Sequence, residues 1–556
     1  MNKKAKISYR EIIGWLLVGL SAIMLVKSIT LCFSNDIWYD ELFTVGMIEH
    51  SYGDLIAFTA RDVHPPLYYC IVKFFAELCK LIVPTADTVV ISKIVSVLSY
   101  FILLLYSVTF VRKRFGTFTG GLFLFCVITM PQLSAYTVEI RMYSWALLFV
   151  TAAFLHAYGI VAETESANSA YLWVHYTALV LYGLAAAYTQ YFACVAVIMV
   201  YLYVFVAFFI KDRRRIRQWL ACVAISTVGY APWLYALYTQ IAAVGENYWI
   251  LPVSWRTLGG CVKFLMKPAF TNGMLNIVLA VLLFAVYICI FVWNAAKLCH
   301  DSRVLCQETD DSSRQQQIIK QWNYFVFITA GIGVLAGLVL FGFAASILFR
   351  PIFVYRYMIP ALGCFWLSFT VGLGRMAEET DWPTAVFLTF GHKTVTKTVH
   401  TDIMRRAATL TVCVLVLLVG LRDYRAFMGE EEYKILLMKD TNAAFQGIGA
   451  EDILIFNFDQ VQMVTGYYLD NDSFLWYGQP EELIQEICGE KGTINEDAEQ
   501  IKEWLIQGRQ VLFFGSFNSR EDIVEEWHTE GLSVAETGSY LLERYWFNIY
   551  EVSIHE

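Results

Sequence analysis

Charged residues are scarce in this 556-residue chain: Asp, Glu, Lys and Arg make up 16% of it, and hydrophobic residues make up 58%. A soluble domain is nearer one quarter charged and half apolar, so the composition argues against a soluble globular protein. The formal net charge of −8 argues against nucleic acid as a partner. The apolar residues also fall in long runs, which indicates a membrane protein.

Two kinds of site are missing from the sequence. No C-x-x-C pair occurs among the thirteen cysteines, most of which lie inside apolar runs. This spacing argues against a zinc site or a disulfide framework, and it is typical of cysteines that serve as small apolar side chains. No nucleotide-binding fingerprint occurs either, so no nucleotide cofactor is expected.

Eleven apolar segments are close to the ~20 residues that cross a hydrocarbon core about 30 Å thick. They lie at 12–33, 88–111, 118–135, 143–162, 171–187, 191–210, 218–238, 274–297, 323–349, 357–374 and 407–421. Basic residues concentrate in alternate connections, such as Arg112–Arg114 and Lys211–Arg217. The positive-inside rule therefore predicts a cytoplasmic N-terminus and an extracytoplasmic C-terminal region in a multi-pass protein of the cell membrane.

One further apolar segment, 65–83, does not fit as a span, because it would place Arg112–Arg114 outside. Its charged residues Lys73, Glu77 and Lys80 fall on one helical face. This pattern favours an amphipathic helix lying in the outer interface, with a true span as the alternative.

The chain changes character after about residue 425. Residues 426–556 carry more charge, and short β-like runs alternate there with helical ones. We therefore predict an all-α polytopic membrane domain at 1–425 and a small extracytoplasmic α/β domain at 426–556. The second domain has no catalytic motif, and we interpret it as a structural or acceptor-docking cap.

A glycine pair lies in the ninth predicted span. The spacing Gly333-x-x-x-Gly337 predicts a close helix–helix contact. Phosphate binding there is not expected, because no strand precedes the glycines and they lie in the middle of the span.

Ionisable residues collect in the predicted outer loops. The first loop contains Asp40-Glu41 and, farther on, His64. Asp40 and Glu41 are candidates for a general base or a metal ligand, and an acidic helix N-terminus is the structural alternative. His64 is a candidate phosphate or metal ligand, so Glu41 and His64 together are the candidate site for a divalent cation.

The second loop and a later one complete this set. Glu139 and Arg141 lie where a helix leaves the membrane, and they are functional candidates unless they pair with each other. Arg356 lies near the outer ends of the ninth and tenth spans. Its guanidinium makes it our candidate for binding a donor phosphate.

Four short motifs occur in order: Asp40-Glu41 after Tyr39, His64-Pro65-Pro66-Leu67-Tyr68-Tyr69, Glu139-x-Arg141-Met142-Tyr143, and Arg356-Tyr357-x-x-Pro360. Over residues 10–425 the chain resembles glycosyltransferase family 39, membrane glycosyltransferases of the GT-C type. That group includes protein O-mannosyltransferases and aminoarabinose transferases of lipid A. The turn at 188–191 departs from related bacterial chains, since it has Gln190 where they often have a histidine.

The resemblance implies a function in the cell envelope. It implies a polyprenyl- or dolichyl-phosphate sugar donor, an extracytoplasmic active site and inversion at the anomeric carbon. It also implies that Asp40 and Glu41 are the functional acidic pair of the first loop. Glu139 is our third catalytic candidate. The acceptor stays open among a glycolipid, a cell-wall polymer and a protein.

The other motif residues, Tyr39, Pro65, Pro66, Tyr68, Tyr143 and Tyr357, are then candidates for substrate binding with His64, Arg141 and Arg356. The alternative function is a transporter or flippase of lipid-linked sugars. It predicts ionisable residues near the middle of spans, whereas here the acids cluster in loops.

Overall fold

The computed structural model describes residues 8–34, 36–163, 169–243, 250–307, 312–378, 385–390, 393–398, 401–469, 474–477, 483, 486–487, 492–494, 498–542 and 544–555. The helices are α1 (Tyr9–Ile29), α2 (Tyr39–Glu49), α3 (Tyr52–Arg61), α4 (Leu67–Ile82), α5 (Thr88–Tyr106), α6 (Arg112–Phe115), α7 (Thr117–Thr129), α8 (Tyr143–Ala162), α9 (Ser169–Thr189), α10 (Tyr191–Lys211), α11 (Ile216–Ala243), α12 (Trp255–Met266), α13 (Gly273–Gln307), α14 (Ser312–Leu348), α15 (Ile359–Glu378), α16 (Thr401–Phe445), α17 (Asp459–Tyr468), α18 (Ala498–Ile506) and α19 (Ser519–Thr529). The strands are β1 (Ala385–Phe390), β2 (Lys393–Thr398), β3 (Ile453–Phe456), β4 (Phe474–Tyr477), β5 (Gly492–Ile494), β6 (Val511–Gly515), β7 (Leu532–Leu542) and β8 (Tyr545–Ile554).

The described part of the chain contains nine helices that are long and apolar enough to cross a membrane. Each coincides with one of the eleven predicted spans. The other two, 118–135 and 171–187, correspond to α7, which has thirteen residues, and to α9; neither is among the nine. The predicted fold class, a helical membrane domain followed by a small sheet domain, is confirmed.

The chain forms two units. The membrane unit comprises Met1–Ile29, Ser96–Val138 and Met142–Phe427, and the loop–sheet unit comprises Thr30–Val95, Glu139–Arg141 and Met428–Glu556. The division near residue 427 lies close to the predicted boundary at 425. The loop–sheet unit also takes in 30–95 and 139–141, which the prediction assigned to the membrane domain.

Helices α1 and α7 approach each other closely within the membrane unit. A Cβ on Gly14 would lie 2.5 Å from the backbone of Thr117, and one on Gly121 would collide with the carbonyl group of Gly14. Glycine permits this approach because it has no side chain, as at other small-residue contacts between membrane helices.

The predicted close helix–helix contact is present at Gly337 but not at Gly333. A Cβ on Gly337 would lie 2.5 Å from the sulfur of Met199 in α10, whereas one on Gly333 would meet no atom within 4 Å among the described residues. The spacing alone does not say which of the two glycines faces a neighbouring helix.

The C-terminal sheet has six strands in the order β5-β4-β3-β6-β8-β7. Strands β3, β4, β5 and β6 are parallel, and β8 is antiparallel to both β6 and β7. Strands β3 and β6 are buried along their whole length, as their runs Ile453–Phe456 and Val511–Gly515 predict for the centre of a parallel sheet.

One face of this sheet shares a hydrophobic core with the first loop. The side chains of Ile37, Leu42 and Val45 pack in the same buried cluster as Phe456 and Phe514 of the sheet. The opposite face is covered by a second cluster that includes Ile523 and Trp527 of α19. Burial of apolar area therefore joins the start of α2 to the C-terminal domain.

The segment predicted to lie in the interface forms α4, which has sixteen residues and is not among the candidate spans. Of its three charged residues, Lys73 is buried, whereas Glu77 and Lys80 are exposed. Lys73 is 8% exposed, and its Nζ donates to the Ile48 carbonyl at 3.1 Å and pairs with Glu77 at 3.0 Å. The exposed residues of α4 also include apolar ones, with Leu81 and Ile82 more than three-quarters exposed. The ammonium group turns inward because backbone and carboxylate acceptors are available there.

Candidate active site

The acidic pair of the first loop lies in the first turn of α2. Glu41 is only 6% exposed, and its two carboxylate oxygens accept from two backbone N–H groups. Trp38 N–H donates to Oε2 at 3.3 Å, and Ile140 N–H donates to Oε1 at 2.8 Å. A carboxylate near a helix N-terminus also interacts favourably with the helix dipole. These contacts favour a positioning role for Glu41, because both of its oxygens already bind backbone donors.

The segment 139–141 is fastened to the same turn by two further hydrogen bonds. Thr44 Oγ1 donates to the Ile140 carbonyl at 3.2 Å, and Arg141 Nη1 donates to the Asp40 carbonyl at 3.1 Å. Glu139 is half-buried at the start of this segment. Two predicted site motifs, about one hundred residues apart in sequence, are therefore in direct contact.

Arg141 is 4% exposed and lies among acidic groups. Its Nη2 is 3.6 Å from Oδ2 of Asp40, whose side chain keeps about one-fifth of its surface exposed (21%). The charge of Arg141 also acts on Asp62 and on the fully buried Tyr69. Burial raises the pKa of the Tyr69 phenol, so the hydroxyl stays protonated. Asp40 thus combines a fixed backbone and a cationic neighbour with access from outside.

His64 lies beside Asp62, with 3.1 Å between Nδ1 and Oδ2. Burial raises the pKa of the Asp62 carboxyl, but the hydrogen bond and charge of His64 outweigh it, so that pKa lies below its ordinary value. Pro65 and Pro66 are buried directly after the histidine, and Pro66 caps α4. Fixed proline dihedrals hold His64 at this helix start.

The two residues predicted to bind a divalent cation, Glu41 and His64, each have other partners in the structure. Within the described ranges, no three His, Cys, Asp or Glu side chains are grouped closely enough to hold a metal ion. Glu41 accepts from backbone N–H groups, and His64 contacts Asp62 through Nδ1. Binding of a divalent cation by Glu41 and His64 stays a prediction.

The C-terminal domain contacts the residues just before Asp40. Tyr39 donates its hydroxyl hydrogen to Asp459 Oδ2 at 3.3 Å, and Ile37 N–H donates to the hydroxyl oxygen of Tyr468 at 3.3 Å. The Arg544 guanidinium lies 3.9 Å from the centre of the Trp38 ring, a cation–π contact. The domain therefore fixes the chain that leads into α2.

Three predicted site residues belong to the membrane unit. Tyr143 is buried at the start of α8, and its ring lies 5.3 Å from that of Tyr136. Arg356 and Tyr357 lie in a short 3-10 turn, Tyr355–Met358, where Tyr357 stacks on Phe192 at 4.7 Å. Their convergence with Asp40 on one pocket stays a prediction.

The structure brings together Asp40, Glu41 and Arg141, and it places His64 beside Asp62, on which the charge of Arg141 acts. Tyr68 and Tyr69 are fully buried on α4. Sequence reasoning missed Asp62, although its position two residues before His64 was a usable signal. It also missed Asp459, which comes from the C-terminal domain and carries no motif.

Comparison with known proteins gives matches among solved structures. No protein-family model matches the sequence, and no curated protein matches it significantly. The crystal structure of ArnT from Cupriavidus metallidurans in the apo state is similar to this chain, with 13% identity, a TM-score of 0.54 and coverage of 96% of this chain and 98% of that one. The same protein bound to undecaprenyl phosphate gives 13% identity, a TM-score of 0.52 and coverage of 97% and 98%.

Identity at this level shows the fold alone, and the match extends over both the helical region and the C-terminal sheet. The prediction of family 39 in particular stays a prediction. The chain is an integral membrane protein with the GT-C fold of these two ArnT structures.

Proposed function

We propose that the protein is a glycosyltransferase that moves a sugar from a polyprenyl-phosphate donor to an extracytoplasmic acceptor. The observation that carries the proposal is Asp40, a partly exposed carboxylate in the first turn of a helix, 3.6 Å from a buried arginine. Arg141 donates to the Asp40 carbonyl, and Glu41 accepts from Trp38 N–H at the start of the same helix. A general base must be held in one place and still be reached by its substrate.

Asp40 is the general base in this proposal. An acceptor hydroxyl oxygen attacks the anomeric carbon, and Asp40 takes the hydroxyl proton. The bond from the anomeric carbon to the phosphate oxygen breaks, and the electron pair leaves with the lipid phosphate. Attack from the face opposite the leaving group inverts the anomeric configuration, as it does in inverting glycoside hydrolases.

The developing negative charge on the leaving phosphate is the main electrostatic demand of this step. Arg356 is our candidate for meeting it, since a guanidinium makes two charge-assisted bonds to one phosphate. One of the two ArnT structures of the same fold is bound to undecaprenyl phosphate, which supports a lipid-phosphate donor here. No metal or nucleotide enters the step as written.

The test is an assay of the purified protein in lipid nanodiscs against a panel of polyprenyl-phosphate sugars. We expect at least one donor to be consumed, with free polyprenyl phosphate released and detected by mass spectrometry. NMR of the product should give the opposite anomeric configuration from that of the donor.

A transporter or flippase gives a different result. It would move the intact lipid-linked sugar between leaflets of proteoliposomes and release no polyprenyl phosphate. Movement without release, or a product with retained configuration, contradicts the proposal.

A further inference from the structure

A short and strongly basic connection joins α10 to α11. Both helices are among the candidate spans, and a 3-10 turn, Arg213–Arg215, lies between them. Five residues of the segment 211–217 are basic and one, Asp212, is acidic. Five positive charges and one negative charge give this segment a formal charge of +4, whereas the whole chain carries −8. We call residues 211–217 the basic turn.

The single acid of the basic turn is used by the backbone. Asp212 Oδ1 accepts from Arg214 N–H at 3.0 Å, which caps the 3-10 turn. Among the residues that the structure describes, none of the five cations forms an ion pair with a carboxylate. Arg114, at another connection of the membrane unit, does have such a partner in Glu163. The charge of the basic turn is therefore not balanced by the described part of the protein.

Two of the cations contact neutral groups of the membrane unit. Arg215 donates to the carbonyl oxygens of Ile160 at 2.8 Å and Glu163 at 3.3 Å, at the end of α8. Lys211 donates to the side-chain amide oxygen of Asn323 in α14. These contacts fix the basic turn to α8 and α14 without reducing its charge.

The remaining three cations, Arg213, Arg214 and Arg217, are exposed. Arg217 follows Arg213 by four residues and Arg214 by three, and these spacings place side chains on one face of a helical segment. Like charges at such spacings destabilise the segment that carries them. An anion bound against this face removes that repulsion, because it lies close to all three guanidinium groups.

Exposed apolar side chains lie next to these cations on both helices. Phe209 and Ile210, at the end of α10, are 48% and 63% exposed, and Leu220, near the start of α11, is 54% exposed. The Arg213 guanidinium lies 4.4 Å from the centre of the Phe209 ring. Leu220 follows Arg217 by three residues, so the two share a helical face. The surface thus changes from cationic to apolar over about one helical turn, as the boundary between headgroups and hydrocarbon does.

We infer that the basic turn binds an anionic phospholipid of the bilayer. The phosphodiester would lie against Arg213, Arg214 and Arg217, since a guanidinium makes two charge-assisted bonds to one phosphate. The acyl chains would cover Phe209 and Leu220. Clusters of basic residues directly beside a membrane helix are typical of sites for anionic lipid headgroups. This inference does not depend on the glycosyltransferase activity.

Native mass spectrometry of the full chain in detergent tests the inference by lipid titration. The probes are dioleoyl phosphatidylglycerol and dioleoyl phosphatidylcholine, which share the phosphodiester and the acyl chains but differ in net charge. We expect the wild type to bind phosphatidylglycerol more tightly. Each basic residue near an anionic lipid surface strengthens binding about fivefold, so Arg213→Gln/Arg214→Gln/Arg217→Gln should weaken phosphatidylglycerol binding about 100-fold. Its binding of phosphatidylcholine should stay unchanged, which also shows that the variant is folded.

Two control variants separate this site from a general effect of charge. Arg213→Lys/Arg214→Lys/Arg217→Lys keeps all three charges and should keep most of the affinity for phosphatidylglycerol. Arg256→Gln/Lys263→Gln/Lys267→Gln removes three exposed cations from α12 and the residue after it. The loss of charge is the same as in the arginine variant, yet the affinity should match that of the wild type.

Three results would overturn the inference. The first is equal affinity of the wild type for the two lipids. The second is an equal loss of phosphatidylglycerol binding in the α12 control, since that would show a general effect of net charge. The third is displacement of phosphatidylglycerol by excess inorganic phosphate, which would make the occupant a free phosphate ion instead of a lipid.

Discussion

Replacing Glu41 by Gln distinguishes a residue that positions the site from one that takes part in the reaction itself. The side chain keeps its size but loses one acceptor, because an amide has one oxygen and one NH₂ group. Glu41 accepts from Ile140 N–H at 2.8 Å and from Trp38 N–H at 3.3 Å. In the variant, one of these two buried backbone N–H groups faces the NH₂ group of the glutamine side chain.

The magnitude follows from the type of hydrogen bond. A bond to a charged group contributes about 1.5–3 kcal/mol, and this site is buried, so little of it is screened. At about 1.4 kcal/mol for each factor of ten, local opening of the 139–141 segment should become roughly 10- to 150-fold more frequent. Transfer activity should fall with it, since that segment carries Arg141 beside Asp40.

Hydrogen exchange at the Ile140 amide, followed by mass spectrometry of the full chain in nanodiscs, measures this opening. Glu49→Gln is the matched control, because Glu49 is exposed at the other end of the same helix. Faster exchange in Glu41→Gln and not in Glu49→Gln supports positioning. Unchanged exchange at Ile140 together with lost transfer would refute the reasoning and give Glu41 a chemical role.

Two further predictions concern stability. Asp62→Asn should lower the melting temperature at pH 7, since a hydrogen bond to a charged group contributes about 1.5–3 kcal/mol. The pKa of Asp62 is lowered in the fold, so its contribution is complete above the ordinary value of 3.8 and is lost as pH falls through the lower folded pKa. A melting-temperature difference that stays constant from pH 7 to pH 3 would contradict this. Gly121→Ala should destabilise the membrane unit by forcing α1 and α7 apart, whereas Gly333→Ala should be neutral or stabilising by up to about 1 kcal/mol, because alanine favours helix there. The two glycine variants are compared by their resistance to thermal aggregation in detergent. An equal loss of thermal stability in both variants would argue against the α1–α7 contact.

Much of the helical architecture follows from the sequence because a membrane imposes one simple rule on it. A run such as 143–162 must hydrogen-bond its own backbone and be apolar, so its length and composition identify it. The same holds for β3 and β6, whose unbroken apolar runs indicate central strands. What these patterns do not contain is the direction in which a side chain faces.

Lys73 illustrates that gap, since helical periodicity places it on one face with Glu77 but does not say whether water or protein covers that face. The contacts of Glu41 and Tyr39 illustrate another. Ile140 lies 99 residues from Glu41, and Asp459 lies 420 residues from Tyr39. A motif read from one segment cannot identify such partners, because they are set by how distant segments pack.

The single-turnover rate of Asp40→Asn tests the central claim most directly. The substitution keeps the shape of the side chain and removes its ability to accept a proton. With the donor that the wild type consumes, transfer should fall about 10²- to 10⁴-fold, the usual contribution of a general base. Glu49→Gln, on the same helix, should keep the wild-type rate. Transfer by Asp40→Asn at the wild-type rate would contradict the account.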